Sequence, residues 1–161
     1  MIRKLTVFIF GLLAVWACSS IDCPVQHTVR TYYAVYNVDQ KADTLKDTLS
    51  VMIHRTGFPD TLLLNTVSNP TSFSLPVSYF STVDTLYFRF GQNLIRTVDT
   101  VWVTKENLPH FESVDCNVQY FHRILDVRTT HHAIDSITIN NPKVDYDPQA
   151  IHFHLYPKSR D

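Results

Sequence analysis

Histidines are the residues of this chain whose type and spacing come closest to a metal site. The chain has eight of them, and His152 and His154 stand two positions apart in a run that alternates apolar and polar residues. Residues two apart on a strand share a face, so both imidazoles can reach one ion. Two ligands do not complete a site, and polar histidines on a sheet are common without function. The sequence therefore predicts no metal and no other cofactor, with His152 and His154 as weak candidates for a metal.

Hydrolysis is the second chemistry that clustered histidines can support. His131 and His132 are adjacent, and His122 precedes Asp126 by four positions. The sequence has no Gly-x-Ser-x-Gly elbow, and its three glycines form no phosphate-binding loop. A non-catalytic protein is therefore favoured, and a hydrolase that uses the clustered histidines is an alternative.

A triplet of Asp, then Thr or Ser, then an aliphatic residue occurs six times. The triplets are Asp43-Thr44-Leu45, Asp47-Thr48-Leu49, Asp60-Thr61-Leu62, Asp84-Thr85-Leu86, Asp99-Thr100-Val101 and Asp135-Ser136-Ile137. A structural interpretation is favoured. The short Asp side chain closes a turn, Thr opens the next strand, and the aliphatic residue begins the core face.

The first eighteen residues have a basic start, an apolar run and a small residue directly before a cysteine. The apolar run from Leu5 to Ala14 is too short to span a bilayer of ~30 Å as a stable helix. Residues Val15 to Cys18 resemble the lipobox of bacterial lipoproteins, in which a peptidase cleaves before the cysteine and the cysteine carries acyl chains. Trp16 departs from the small or aliphatic residue usual there. The sequence predicts removal of residues 1–17 and lipidation of Cys18, with an ordinary secretory signal as the alternative.

The remaining cysteines, Cys23 and Cys116, are predicted to form a disulfide. Export brings them into an oxidising compartment, which favours their pairing once Cys18 carries lipid. The bond would span 93 positions. Closing so long a loop stabilises the fold by roughly 4 kcal/mol in the chain-entropy model. Two unpaired buried thiols, or Cys116 as a nucleophile, are the alternatives.

Strand-like runs occupy most of the chain from Val25 onward, because β-branched and aromatic residues alternate there with polar ones. The runs cover residues 26–37, 49–54, 61–67, 85–90, 95–104, 133–139 and 151–156. Residues 117–128 suit a helix or a strand and are assigned to a strand. Helical crossovers are missing between the runs. The predicted fold is therefore an all-β antiparallel sandwich, immunoglobulin-like or transthyretin-like, with a closed antiparallel barrel as the alternative.

Length and charge fit one exported domain. Removal of residues 1–17 leaves 144 residues, divided into a short lipidated tether over 18–24 and a single β-sandwich domain over 25–161. This mature chain has 12 basic and 15 acidic residues, a formal charge of −3, and its basic residues are scattered. A nucleic-acid binder needs a basic stripe, so no nucleic-acid partner is expected.

The region from 110 to 146 resembles a family of small uncharacterised lipoproteins from Gram-negative anaerobes of the gut type, which carry a domain of unknown function. The segments that carry the resemblance are His110–Cys116, Phe121-His122, Thr129–His131, Ile134–Ile137, Asn141-Pro142 and Val144–Tyr146. An early Cys23-Pro24 pair adds to it. The resemblance implies a cell-envelope lipoprotein with a β-rich domain, and it brings no activity, cofactor or catalytic residue.

The Asp-Thr/Ser-aliphatic triplet also resembles the acceptor motif for O-glycosylation of exported proteins in some such bacteria. A glycan on an outward hydroxyl would shield strand edges from pairing with other chains. The candidate sites are Thr44, Thr48, Thr61, Thr85, Thr100 and Ser136.

Together these features predict a cell-envelope lipoprotein, anchored by lipid to the outer membrane. Its expected role is that of a non-catalytic binding or structural accessory module with an envelope protein as partner. Surface-exported lipoproteins of such bacteria share an acidic cluster after the lipidated cysteine, whereas here Asp22 stands alone, which favours the periplasmic side. The second alternative, beside the hydrolase, is a carrier of a small apolar ligand. Its interior would be lined by Phe88, Phe90, Phe121 and Phe153.

Overall fold

A computed structural model of the protein describes residues 29–92, 95–113 and 116–159. These residues form strands joined by turns and loops. The strands are β1 (Arg30–Val35), β2 (Thr48–Arg55), β3 (Phe58–Ser68), β4 (Ser72–Pro76), β5 (Val83–Gln92), β6 (Ile95–His110), β7 (Gln119–Thr129), β8 (Ile134–Ile139), β9 (Lys143–Val144) and β10 (Phe153–Pro157). Among the described residues no helix is long and apolar enough to cross a membrane.

The strands form two sheets, which confirms the predicted all-β sandwich. One sheet has the order β4-β1-β10-β8 and the other has the order β3-β2-β5-β6-β7-β9. Neighbouring strands are antiparallel except β1 and β10, which run parallel. The two sheets remain separate and open, so the closed barrel is wrong.

The core follows from the period-two alternation of the strands. In β2, Leu49, Val51 and Ile53 are buried, whereas the residues between them are partly exposed. At the centre, the ring of Tyr33 lies 4.8 Å from that of Phe73 and 4.7 Å from that of Phe153. Such aromatic pairs bury large areas and add about 0.5–1.5 kcal/mol each beyond the burial itself. The sheets are therefore joined by a filled aromatic core.

The chain's strand register defines two opposite ends of the sandwich. We use the name hairpin end for the end formed by the β2–β3 turn, the β4–β5 loop and the β6–β7 loop. The described chain also begins there, because Arg30 of β1 pairs with Pro76 at the close of β4. On β6, Thr104 pairs with Val83 of β5, and the strand then continues to His110 beside β7 alone. At about 3.4 Å per residue, this hairpin extends ~20 Å past the start of β5, and the short strand β9 pairs with β7 at His122 and Arg123.

The predicted runs correspond to β1, β2, β3, β5, β6, β8 and β10, and the ambiguous stretch over 117–128 is a strand, β7. Two strands were not predicted. β4 has only Phe73 and Leu75 as buried apolar residues, and β9 contains two residues. Both are too short to give a periodic signal of their own.

Candidate functional site

Exposed apolar side chains are concentrated at the hairpin end. Five of the eleven large hydrophobic side chains that are exposed among the described residues lie on the β6–β7 hairpin or in the β4–β5 loop that packs on it, and we call them the aromatic surface. They are Tyr79, Phe80, Leu108, Phe111 and Val118. Phe80 is 74% exposed and Phe111 is 68% exposed. Scattered apolar residues are normal on a surface, but a concentration at one end marks a site of interaction.

The rings of the β4–β5 loop pack on the hairpin beside them. Tyr79 stacks on Tyr120 of β7 with 5.3 Å between ring centroids and an angle of 6° between the planes. The ring of Phe80 lies 4.2 Å from that of Tyr79, at an angle of 31°. These contacts give Tyr79 a defined position and leave Phe80 outermost, facing solvent.

A buried ion pair lies beneath this loop. Lys105 of β6 is 1% exposed, and its Nζ is 2.9 Å from Oδ1 of Asp84. The same ammonium group donates a hydrogen bond of 2.7 Å to the carbonyl oxygen of Ser81 in the loop. Two buried charges are tolerated only when they are paired and hydrogen-bonded, and here both conditions are met.

Asn107 and His122 extend the network from the ion pair toward the surface. The Asn107 amide nitrogen donates to the carbonyl oxygens of Tyr79 and Ser81, at 3.0 and 3.2 Å. Its own oxygen accepts from Nδ1 of His122 at 2.8 Å. The backbone N–H of Lys105 donates to Thr82 at 2.8 Å. Strand β6 therefore fixes the backbone of the loop that presents Tyr79 and Phe80.

Burial shifts the ionisation of this network. Burial lowers the pKa of Lys105 and raises the pKa of Asp84, and in each case the opposite charge of the partner works against the shift. Burial, together with the nearby charge of Lys105, lowers the pKa of His122 to about 4. His122 is therefore neutral at pH 7, which is consistent with its Nδ1–H donating to Asn107.

The low pKa of His122 predicts a loss of stability in mild acid. An unfolded histidine has a pKa near 6.5, so the unfolded state takes up a proton first as the pH falls. This contribution to the free energy of unfolding is complete above pH 6.5 and falls toward pH 4, by on the order of 2 kcal/mol between pH 7 and 5. We expect H122Q to show a weaker dependence on pH in urea unfolding across this range. The exposed His131 gives the matched control, H131Q, and an equal slope in both variants would contradict the assignment.

The cysteine predictions fall largely outside the described residues. Cys116 lies in the β6–β7 loop at the hairpin end, where it is half-buried and disulfide-bonded. Cys18 and Cys23 are outside the described residues, as are the predicted signal and tether. The lipidation of Cys18 and the pairing of Cys23 with Cys116 therefore stay predictions.

The Asp residues of the repeated triplets occupy two kinds of position. Asp47 directly precedes β2 and accepts a hydrogen bond of 2.8 Å from the N–H of Thr48, as the turn interpretation predicts. That interpretation is wrong for the four that lie within strands. Asp60 and Asp135 are exposed on β3 and β8, whereas Asp84 and Asp99 are buried in β5 and β6. Residues two apart on a strand share a face, so in β5 and β6 an Asp two positions before a core aliphatic residue also points inward.

Asp99 shows what a buried triplet carboxylate does. Its oxygens accept hydrogen bonds from the N–H groups of His132, Ala133 and Ile134 at 2.6, 2.7 and 2.8 Å. The hydroxyl of Thr130 adds a fourth at 2.7 Å. Burial alone would raise the pKa of Asp99, but these four donors hold it below its ordinary value. The carboxylate thereby fixes the β7–β8 loop, where the chain passes from one sheet to the other.

The hydroxyls proposed for glycosylation differ in exposure. Thr61 is exposed on β3, at the edge of the larger sheet. The other five, Thr44, Thr48, Thr85, Thr100 and Ser136, are partly buried. The hydroxyl of Thr48 also donates to the carbonyl oxygen of Gly91 at 2.5 Å. Thr61 is therefore the most accessible candidate for modification.

The histidines proposed as weak metal ligands have other partners. His152 is fully buried, its Nδ1 accepts from the N–H of Tyr32 at 3.0 Å, and its Nε2 donates to Lys143 O at 3.1 Å. His154 stacks on Tyr36 at 4.1 Å. The structure commits both nitrogens of His152 to backbone groups and places the ring of His154 on a different tyrosine from the one beside His152. In the described ranges, no group of three His, Cys, Asp or Glu residues is placed to hold a metal.

The four phenylalanines proposed for a ligand carrier do not line one interior. Phe88, Phe90 and Phe153 are buried in the core, whereas Phe121 is partly buried at its margin and stacks on His110 at 4.1 Å. The internal space beside Asp84 and His122 measures about 10 Å³. Small-molecule sites have volumes of ~300–1,000 Å³, so this space is far too small for one. Larger clefts of about 280 and 390 Å³ are open to solvent.

Sequence reasoning missed the residues that build the hairpin end. The signal for Lys105 was present, because Val101, Val103 and Lys105 alternate on β6 and share its core face. Tyr79 and Phe80 gave no signal, because they lie in a loop whose position depends on residues distant in sequence.

These features define the protein as an open β-sandwich domain with a buried polar network beneath an apolar end. The chain belongs to a family of unknown function, DUF6452, whose model matches residues 48–157. The matched range runs from the first residue of β2 to the last residue of β10 and leaves β1 outside it. No curated protein and no solved structure matches the chain. The family match supports the domain of unknown function that the resemblance implied.

Proposed function

We propose that this protein is a cell-envelope lipoprotein, anchored to the outer membrane through Cys18 and facing the periplasm. It acts there as a non-catalytic binding or structural accessory module. The observation that carries the proposal is the N-terminal pattern of basic flank, short apolar run and Ala17-Cys18. Because β1 begins at Arg30, twelve positions after Cys18, the folded domain would lie close to its membrane.

The arrangement of polar residues supports a binding role over a catalytic one. The buried Lys105 and Asp84 hold a loop, and His122 bonds to an amide rather than to a carboxylate. Asp99 is saturated by three backbone N–H groups and a hydroxyl. These perturbed groups fix loop positions, which is a structural use of ionisable side chains.

The filled core supports a binding module over an apolar-ligand carrier. Tyr33, Phe73, Phe88 and Phe153 pack on one another between the sheets. An exposed apolar end above a filled core is the arrangement expected of a module that works through its surface. Pairing of Cys23 with Cys116 and a glycan on Thr61 are further parts of the proposal.

The intact mass of the protein purified from its native membrane tests this proposal. We expect a mass that begins at Cys18 and includes acyl chains, because the lipobox directs both cleavage and acylation. Two further alkylation sites should appear after reduction, since Cys23 and Cys116 are then released. A hexose increment on the peptide containing Thr61 would support glycosylation. A chain that keeps residues 1–17, or begins at Cys18 without acyl groups, would contradict the anchor.

A further inference from the structure

We propose that the hairpin end faces the membrane and that its aromatic surface rests in the headgroup region of the bilayer. The inference depends on the lipid anchor of the proposed function and adds an orientation to it. Lipid is the occupant to which the structure points, because the aromatic surface and the origin of the described chain lie at the same end.

The length of chain before the fold limits how far this end can lie from the anchor. Cys18 and Val29 are eleven positions apart, so a fully extended tether reaches at most about 40 Å. Cys116 belongs to the loop at the tip of the β6–β7 hairpin. If it is joined to Cys23, five positions separate that tip from the acylated residue, a reach of roughly 18 Å at most. The path through Cys116 therefore holds the hairpin end next to the bilayer, whereas the tether alone only limits the distance to about 40 Å.

The residues at this end are of the types that favour a membrane interface. Tyr and Trp are enriched at headgroup level, where a ring meets apolar chains on one side and water on the other. Phe is typical of apolar faces that insert at the boundary between headgroups and acyl chains. Phe80 and Phe111 are mostly exposed, and Tyr79 is half exposed. Asn107 and Lys105 hold the carbonyl groups of the β4–β5 loop, so the rings of Tyr79 and Phe80 are presented on a fixed backbone.

The charges at the hairpin end are compatible with a lipid surface. Glu106 and Glu112 are the glutamates of the chain, and both lie on or next to the hairpin. Glu106 is 3.4 Å from Arg123, and Glu112 is 3.1 Å from His110. Asp145, next to the Tyr146 that packs on His110, is 2.8 Å from Lys143. Pairing of Glu106 with Arg123 and of Asp145 with Lys143 reduces the repulsion that these carboxylates would meet at an anionic headgroup.

The opposite end of the sandwich has a different character. The open cleft there is lined by four charged residues, Asp43, Lys46, Asp47 and Lys158, beside polar and apolar ones. Two exposed large hydrophobic residues lie at that end among the described residues, Val38 at 82% exposure and Val98 at 42%. The asymmetry between the ends therefore assigns one to lipid and leaves the other in water.

Tryptophan quenching in lipid vesicles tests this orientation. The acylated full-length protein is reconstituted into phosphatidylethanolamine and phosphatidylglycerol vesicles whose acyl chains carry bromine, which quenches nearby indoles. A mature chain has Trp102 as its natural tryptophan, eight residues before His110 on β6, or roughly 26 Å from the hairpin end. Wild type therefore reports a position away from the bilayer.

Phe80 and Phe111 are replaced by tryptophan in separate variants, F80W and F111W. Val38 at the opposite end provides the matched control, V38W, because it too is exposed and apolar. We expect the added emission of F80W and F111W to shift to the blue and to be largely lost in brominated vesicles. The emission of V38W and of wild type should be the same in brominated and ordinary vesicles.

The mass of the same preparation shows whether the orientation or the lipid anchor is wrong. An acylated protein in which F80W and F111W are quenched no more than V38W overturns the orientation and leaves the lipid anchor in place. A chain without acyl groups overturns the anchor itself, and with it the tether on which the orientation depends. Strong quenching of V38W, with F80W and F111W unquenched, shows that the opposite end faces lipid.

Discussion

Replacing Lys105 with methionine is expected to lower the free energy of unfolding by about 3–5 kcal/mol, because it leaves the buried carboxylate of Asp84 without its partner. The variant also loses the hydrogen bond from Nζ to the carbonyl oxygen of Ser81. Domains of this size have total stabilities of about 5–15 kcal/mol, so the effect would be a large fraction of the whole. Urea unfolding at pH 7, followed by tyrosine and tryptophan fluorescence, measures it.

Two further variants show whether burial is the reason. The double replacement D84L/K105M removes both charges, and apolar replacement of a buried pair is often close to neutral, so it should recover most of the loss. Lys143 pairs with Asp145 at 2.8 Å on the surface and gives a control of the same chemistry, K143M, which should change stability little. Equal effects of K105M and K143M would contradict a structural role for the buried pair.

The ion pair also connects the core to the proposed membrane surface. Lys105 and Asn107 lie on the core face of β6 and hold the backbone of the loop carrying Tyr79 and Phe80. A loop of six residues between two strands would otherwise have many conformations open to it. The cost of burying two charges is therefore offset in part by fixing where the exposed rings lie.

Alternation of side chains was sufficient to predict most strands and the sandwich. It works for β2, β5 and β10, where each aliphatic or aromatic residue of one parity is buried. The same rule places Asp84, Asp99 and Lys105 inside. A turn closed by a short Asp side chain is the wrong interpretation for both aspartates, because position on the strand decides their burial although charged residues are seldom fully buried.

The pairing of distant strands could not be predicted from one sequence. The parallel pairing of β1 with β10 joins segments about 120 residues apart, and neither segment carries a mark of its partner. The hairpin end depends on such pairings, because the β4–β5 loop meets β6 and β7 only once the two sheets have packed. The sequence therefore did not predict the candidate site, because its residues come together only in the folded chain.

Buried triplet aspartates share a place in the fold, where the chain crosses between the sheets. Asp47 lies at the end of the β1–β2 connection, Asp84 follows the β4–β5 loop, and Asp99 binds the β7–β8 loop. Each of these connections leaves one sheet and enters the other. At a crossover between sheets, backbone N–H groups have no neighbouring strand to bond to. An Asp carboxylate can accept hydrogen bonds from several such N–H groups at once, so it satisfies them there.

The largest effect among the triplet aspartates is expected for D99A, a loss of at least about 3 kcal/mol in the free energy of unfolding. The variant leaves the N–H groups of His132, Ala133 and Ile134 and the hydroxyl of Thr130 without their acceptor. Each buried donor left unsatisfied costs roughly 1–3 kcal/mol. Because the pKa of Asp99 is below its ordinary value near 3.9, wild type also loses this stabilisation as the pH falls below about 4.

Chemical unfolding of D99A beside D135N measures this contribution. Asp135 belongs to the same kind of triplet but is exposed, so its replacement by asparagine should change the free energy of unfolding by less than about 0.5 kcal/mol. We also expect D99A to lose part of the stability change that wild type shows between pH 5 and pH 3, because the titrating carboxylate is gone. Equal stabilities for D99A and D135N would contradict the role given to Asp99, since the β7–β8 crossover would then hold without its carboxylate.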